Sequence, residues 1–115
     1  MKVLVNKNNS EENITIYLME EHGYAFCMLT YYEVEKHRMY LSNLNVKEDR
    51  RRDGYGGKML DYAIEYAHKN GCKYLYLYVV DGDSWIAKWY KRKGFIPFKK
   101  SSDGSCDMFL EINKK

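Results

Sequence analysis

Proline occurs once in the 115 residues, as Pro97, and neither a repeat nor a low-complexity tract accompanies it, so no linker divides the chain. Cysteine is scarce as well. Cys27, Cys72 and Cys106 are odd in number, lie far apart and include no close Cys or His pair of the kind a zinc site uses. They read as reduced and structural, and no metal is expected. Long apolar runs are missing: none approaches membrane-spanning length, and the apolar start of MKVLVNKNNS is too short for a signal-peptide core. The expectation is a cytoplasmic protein without a membrane partner. The formal net charge of +3 is too small to argue for nucleic acid, although a weak positive field helps to gather an anionic ligand. What is present is apolar and aromatic: 45% hydrophobic residues, 16% aromatic, with 12 tyrosines. That composition supports one globular domain over residues 1–115, too short for two cores.

A short strand is expected at Val3 to Val5, followed by a polar loop over residues 6–13. Residues 14–46 then read as three strands rich in Tyr, Ile, Thr and Val, broken at Glu21-His22-Gly23 and Glu35-Lys36-His37, hence an antiparallel meander. From Gly56 the period changes: Met59, Leu60, Ala63, Ile64 and Ala67 recur at helical spacing, and Gly71 stands where a C-terminal cap belongs. Residues 73–80, KYLYLYVV, form a near-continuous apolar and aromatic strand suited to a central position covered on both faces. Asp83 and Ser84 offer N-cap chemistry to a second helix with Trp85, Ile86, Trp89 and Tyr90 inward and Gly94 at its end. Two strands, GFIPF and CDMFLEI, close the chain, with Pro97 on an edge.

The stretch EDRRRDGYGGKML joins a strand to a helix through three arginines and three glycines. A helix N-terminus there has unpaired amides and the positive end of the dipole, so an anion is the natural guest. A nucleotide-hydrolysing P-loop is excluded, because Met59 follows Lys58 and the upstream glycine is missing. An RNA-recognition strand is disfavoured too, since the segment continues as a helix. A solvated basic corner remains the plain alternative.

The wider pattern resembles the GNAT superfamily of acetyl-CoA-dependent N-acetyltransferases. Arg51, Gly54 and Gly56 match its R/Q-x-x-G-x-G/A turn, with Leu44 and Val46 before it and Met59 and Leu60 after it. Leu77, Val79, Tyr90, Gly94 and Phe95 match its later pattern, with Asp83 in the asparagine position and Ile86 in the alanine position. The resemblance implies an α+β fold: a mixed, mostly antiparallel sheet with two main helices. It implies acetyl-CoA as co-substrate. The pyrophosphate would lie on the turn formed by Arg51, Arg52, Asp53, Gly54, Tyr55, Gly56, Gly57 and Lys58, the pantetheine arm along Leu44 and Val46, with Asp83 nearby. It further implies direct acetyl transfer to a primary amine of an unidentified acceptor, small molecule or protein. The Val46 N–H would receive the oxyanion, and Tyr90 would protonate the departing sulfur.

The pattern also departs from the family. Tyr40 stands where some members carry a base glutamate, so the base is unassigned: Asp81 is the first candidate, with Asp83, Glu33 or a water relay as alternatives. The segment Asn6 to Asn13 is too short for the helix pair that commonly precedes the second strand. The acceptor side is therefore expected to be open, or closed by a second subunit in a homodimer. A CoA-binding module that has lost activity is the other reading, and a nucleic-acid partner is not expected.

Overall fold

A computed structural model describes residues 1–10, 12–35 and 37–112; the Glu33 side chain, weighed above as a base, and Lys36 of the second turn lie outside the described residues. The elements are β1 (Val3–Asn9), β2 (Asn13–Glu20), β3 (Ala25–Tyr32), β4 (Arg38–Val46), α1 (Tyr55–Lys69), β5 (Tyr74–Val79), α2 (Trp85–Arg92), β6 (Ile96–Lys100) and β7 (Cys106–Glu111). The seven strands form one sheet in the order β1-β2-β3-β4-β5-β7-β6, in which only β4 and β5 run parallel. This is the mixed, mostly antiparallel α+β sheet that the sequence pattern implied.

Alternation along the strands sets the core. Ile14, Ile16 and Leu18 of β2, Ala25, Cys27 and Leu29 of β3, Met39 and Leu41 of β4, and Leu75, Leu77 and Val79 of β5 are buried on one face. Met59, Leu60, Ala63 and Ala67 of α1 and Ala87 and Tyr90 of α2 complete the same core cluster. Tyr74, Tyr76 and Tyr78 point to the other face, where Tyr78 is 58% exposed. The expectation that β5 is covered on both faces is thus corrected. β5 does lie inside the sheet, but its alternating tyrosines carry hydroxyls that tolerate solvent on the second side.

β1 corrects the opening of the chain. It runs to Asn9, paired in register with β2 from Val3↔Glu20 to Asn9↔Ile14, where a loop was expected. Apart from Val3 its residues are all exposed, so backbone pairing alone holds an edge strand whose polarity hides it from a pattern search. The first meander turn is as expected, with Gly23 at φ +78. Its anchor is the buried Glu20, whose carboxylate accepts from the His22 N–H (2.9 Å) and the Tyr24 N–H (3.1 Å) and meets His22 Nδ1 at 2.8 Å. Burial by itself raises the Glu20 pKa, yet the hydrogen bonds outweigh it and hold the carboxyl lowered.

Candidate active site

β4 and β5 pair only at Arg38↔Tyr74, Met39↔Leu75 and Tyr40↔Tyr76, then diverge. The cause lies in β4. Its pairing with β3 steps from Met28↔Ser42 to Phe26↔Asn45, which leaves Asn43 and Leu44 opposite Cys27. Such an extra residue bends and twists the strand. Asn43 absorbs the strain at φ 54, a left-handed conformation that Asn tolerates better than most residues. Beyond the bulge, the Lys47 N–H binds the Tyr24 carbonyl at 2.7 Å. Because antiparallel bonds alternate, the Val46 N–H and C=O face away from β3, into the gap beside β5. Arg51 Nε takes that carbonyl at 3.2 Å, which leaves the Val46 N–H turned toward the gap.

The basic stretch is a 3-10 turn, Glu48–Asp53, closed by Gly54 at φ +80, and α1 starts at Tyr55. No side chain caps α1 and its first turn holds no acidic residue. The amides there are free for an anion, as the sequence suggested. A Cβ on Gly56 would sit 3.5 Å from Val46 Cγ2 and 3.9 Å from Trp89 Cζ2, and one on Gly57 would lie 3.4 Å from Lys93 Nζ. Side chains here would fill the space in front of the amides.

That space is a cleft of about 360 Å³ lined by Leu44, Asn45, Val46, Arg51, Gly54, Gly56, Gly57, Trp85, Ile86 and Trp89. One end is basic and rich in backbone amides; the other is apolar. α2 supplies the apolar wall because Ser84 starts it there, its Oγ accepting from the Ala87 N–H at 3.2 Å. Trp85 is corrected from an inward position: it is 74% exposed at the rim, and Ala87 takes the buried place. The first turn of α2 is not roofed by the sheet, so an indole there faces the opening.

Six expected ligand contacts, Leu44, Val46, Arg51, Gly54, Gly56 and Gly57, line the cleft; Arg52, Asp53, Tyr55, Lys58 and Asp83 do not. Arg50 lies over the Tyr24 ring at 4.4 Å and 3.6 Å from Asp53, Tyr55 packs edge-on to Tyr24 at 5.5 Å, and Lys58 Nζ stands 5.8 Å from the Tyr55 ring centre. Asp83 is exposed and 3.7 Å from Lys100 Nζ. Asp81, the candidate base, is held in its own loop: Oδ1 accepts from the Asp83 N–H at 2.9 Å and its carbonyl from Ser84 Oγ at 2.7 Å. Sequence reasoning missed Asn45 as a cleft residue and did not foresee that Trp85, Ile86 and Trp89 line the cleft, although Ile86 and Trp89 also pack against the core as expected. Their spacing on the first two turns of a helix that follows the divergent strand was the available signal.

Tyr90 is buried against Trp89 (5.1 Å) and Phe95 (5.4 Å) and close enough to Cys27 to feel it electrostatically. Cys27 is the residue opposite the β4 bulge, and Tyr90 itself does not line the cleft. Burial, with Cys27 adding to it, pushes the Tyr90 pKa up to about 12. Its hydroxyl keeps its proton throughout the neutral range. Elsewhere Glu20, Glu21 and His22 bring three donor atoms within 4.8 Å of one another, but the Glu20 oxygens are already engaged in the turn described above.

A sheet splayed at its one parallel pair, with an uncapped helix N-terminus at the splay, is a fold shared with solved acetyltransferases. The chain belongs to the GNAT acetyltransferase family, whose model matches residues 4–95. It is similar in fold to the ribosomal-protein-S18-alanine N-acetyltransferase of Escherichia coli, with 22% identity, 93% of this chain and 74% of that one covered, and a TM-score of 0.71. An acetyltransferase from Bacillus cereus is 24% identical over 87% of this chain and 71% of that one, with a TM-score of 0.64. The N-acetylglutamate synthase of Neisseria gonorrhoeae, solved with coenzyme A and N-acetylglutamate, aligns over 87% of this chain and 26% of its own at 16% identity and a TM-score of 0.69.

Proposed function

We propose that the chain transfers an acetyl group from acetyl-CoA directly to a primary amine. The observation that carries this reading is the cleft itself: free helix amides and Arg51 at one end, an apolar wall at the other, and the Val46 N–H turned into the strand gap between them. When bound, acetyl-CoA supplies a thioester carbonyl open to attack by an amine. The α1 amides from Gly56 onward and the Arg51 guanidinium would hold a pyrophosphate, which a Cβ at Gly56 or Gly57 would crowd. Leu44, Val46, Ile86 and Trp89 would hold an apolar arm and exclude water. The Val46 N–H would donate to the oxyanion, a fixed dipole aimed where charge develops. Tyr90 would hold a proton for the departing thiolate, since its raised pKa keeps the hydroxyl intact at neutral pH.

A second reading, a CoA-binding module without turnover, is favoured by one observation: among the described residues no carboxylate or imidazole lines the cleft. Deprotonation of the ammonium would then fall to water. Release of free thiol from acetyl-CoA, followed with a panel of primary amines and short peptides, separates the two. Amine-dependent release supports transfer; tight CoA binding with no release for any amine supports the module. We also infer a cytoplasmic location.

A further inference from the structure

The 3-10 turn that leads into α1 has no core of its own. None of its residues is buried, and no side chain caps it. Between positions 47 and 55 only Arg50 and Tyr55 are withdrawn in part from solvent, and both rest on Tyr24, which stands outside the cleft at the end of the β2–β3 turn. The Arg50 guanidinium lies over the Tyr24 ring at 4.4 Å, and its Nη2 is 3.4 Å from the Tyr24 hydroxyl oxygen. Tyr55, the first residue of α1, meets the same ring edge-on at 5.5 Å. The Lys47 N–H, just before the 3-10 turn, donates to the Tyr24 carbonyl at 2.7 Å. Tyr24 thus grips the segment at its entry, its middle and its exit.

Tyr24 is itself held. Its N–H donates to Oε1 of the buried Glu20 at 3.1 Å, and the His22 ring stacks on its ring at 5.3 Å with 22° between the planes. The first turn of the meander is therefore a fixed base on which the second segment rests. Such a base matters to a ligand, because a loose turn has to be ordered on binding and the lost entropy weakens the complex. The residue types agree with this task. A planar guanidinium stacks on a ring and still reaches a second partner, here Asp53 at 3.6 Å, in a way an ammonium does not. Arg50 Nε is buried and Arg50 does not line the cleft, whereas Arg51 does. Neighbouring arginines have taken different work, one holding the turn and the other facing the cleft.

We propose that Tyr24 is a positioning residue of the site: acting through Arg50 and Tyr55, it fixes the turn and the α1 N-terminus against which a diphosphate would lie, the ligand resting on the acetyl-CoA reading above.

Tyr24→Leu tests it by two readouts, amide hydrogen exchange followed by NMR and calorimetric titration with acetyl-CoA. The Arg50 and Lys58 amides, bonded to the Lys47 and Gly54 carbonyls at 2.8 and 3.1 Å, are expected to exchange about tenfold faster or more, while the Ala63 and Ala67 amides deeper in α1 keep their protection. The dissociation constant for acetyl-CoA is expected to rise about tenfold or more. Tyr24→Phe, which keeps the ring that Arg50 and Tyr55 touch, is expected to recover most of both losses. Arg50→Lys keeps the charge and loses the planar fork, and it is expected to bind as weakly as Tyr24→Leu. Full affinity in Arg50→Lys would make the charge alone sufficient and overturn the proposal. Unchanged exchange in Tyr24→Leu, or full affinity in spite of faster exchange, overturns it as well. Far-UV circular dichroism identifies a variant that fails to fold; should Tyr24→Leu be one, Arg50→Lys decides by the same two readouts. A wild type that binds no acetyl-CoA defeats the proposed function instead, and the exchange of the Arg50 and Lys58 amides then decides by itself whether Tyr24 holds the turn.

Discussion

At the scale of single residues, Tyr90 joins burial to a proposed chemical task. Tyr90→Phe keeps the ring contacts with Trp89 and Phe95 and removes only the hydroxyl. Turnover is expected to fall about a hundredfold or more, with affinity for acetyl-CoA unchanged, as measured by steady-state kinetics beside calorimetry. Unchanged turnover would remove the proton-donor role. Gly56 offers the complementary test. Its position early in α1 suits a larger side chain for helix propensity, while its missing Cβ opens the cleft toward Val46 and Trp89. Gly56→Leu is expected to retain or raise the melting temperature and to abolish CoA binding. That the glycines and Arg51 share one cleft was legible from the sequence, because bare backbone and a fixed charge are written in residue type. The indoles at the rim were not, since an exposed Trp85 and a buried one look alike in a helical pattern. Asp81 is ambiguous in sequence for a related reason: a carboxylate after a strand serves loop bonding, as its Oδ1 does here, as readily as catalysis.

At the scale of elements, the site depends on one bend and one cap. The β4 bulge turns the Val46 amide into the gap, and nothing in LSNLNV advertises it except Asn43, a residue that accepts positive φ. The Ser84 cap fixes where α2 begins and hence where Trp85, Ile86 and Trp89 face the cleft. Ser84→Ala is expected to cost about 1 kcal/mol in chemical denaturation and to raise the KM for acetyl-CoA by fraying that first turn. A loss of stability with an unaltered KM would detach the cap from the site. Helices and inner strands were readable because apolar periodicity reports burial. β1 was readable only in its first residues: an edge strand exposed over most of its length has no such periodicity, and its register is set by backbone bonds to β2.

At the scale of the whole molecule, one apolar layer lies between sheet and helices and holds Cys27 and Tyr90 together. Burial pushes both pKa values up to about 12, from 9.0 and 10.0. The folded state therefore keeps protons that the unfolded chain has released, and the stabilisation is fully present below pH 9 and is lost as pH rises toward 12. Melting temperatures are expected to decline across that window, and Cys27→Ala, compared with its own value at pH 7, should decline less. An identical decline would place the alkaline sensitivity elsewhere.

The central claim is that the cleft between β4, α1 and α2 holds acetyl-CoA by its pyrophosphate. Isothermal titration of the chain with acetyl-CoA, beside Arg51→Ala and Gly56→Leu, tests it most directly. Saturable one-to-one binding, weakened about tenfold or more by Arg51→Ala and lost in a folded Gly56→Leu variant, is the predicted result. No binding by the wild type, or binding that both variants retain, would contradict the account.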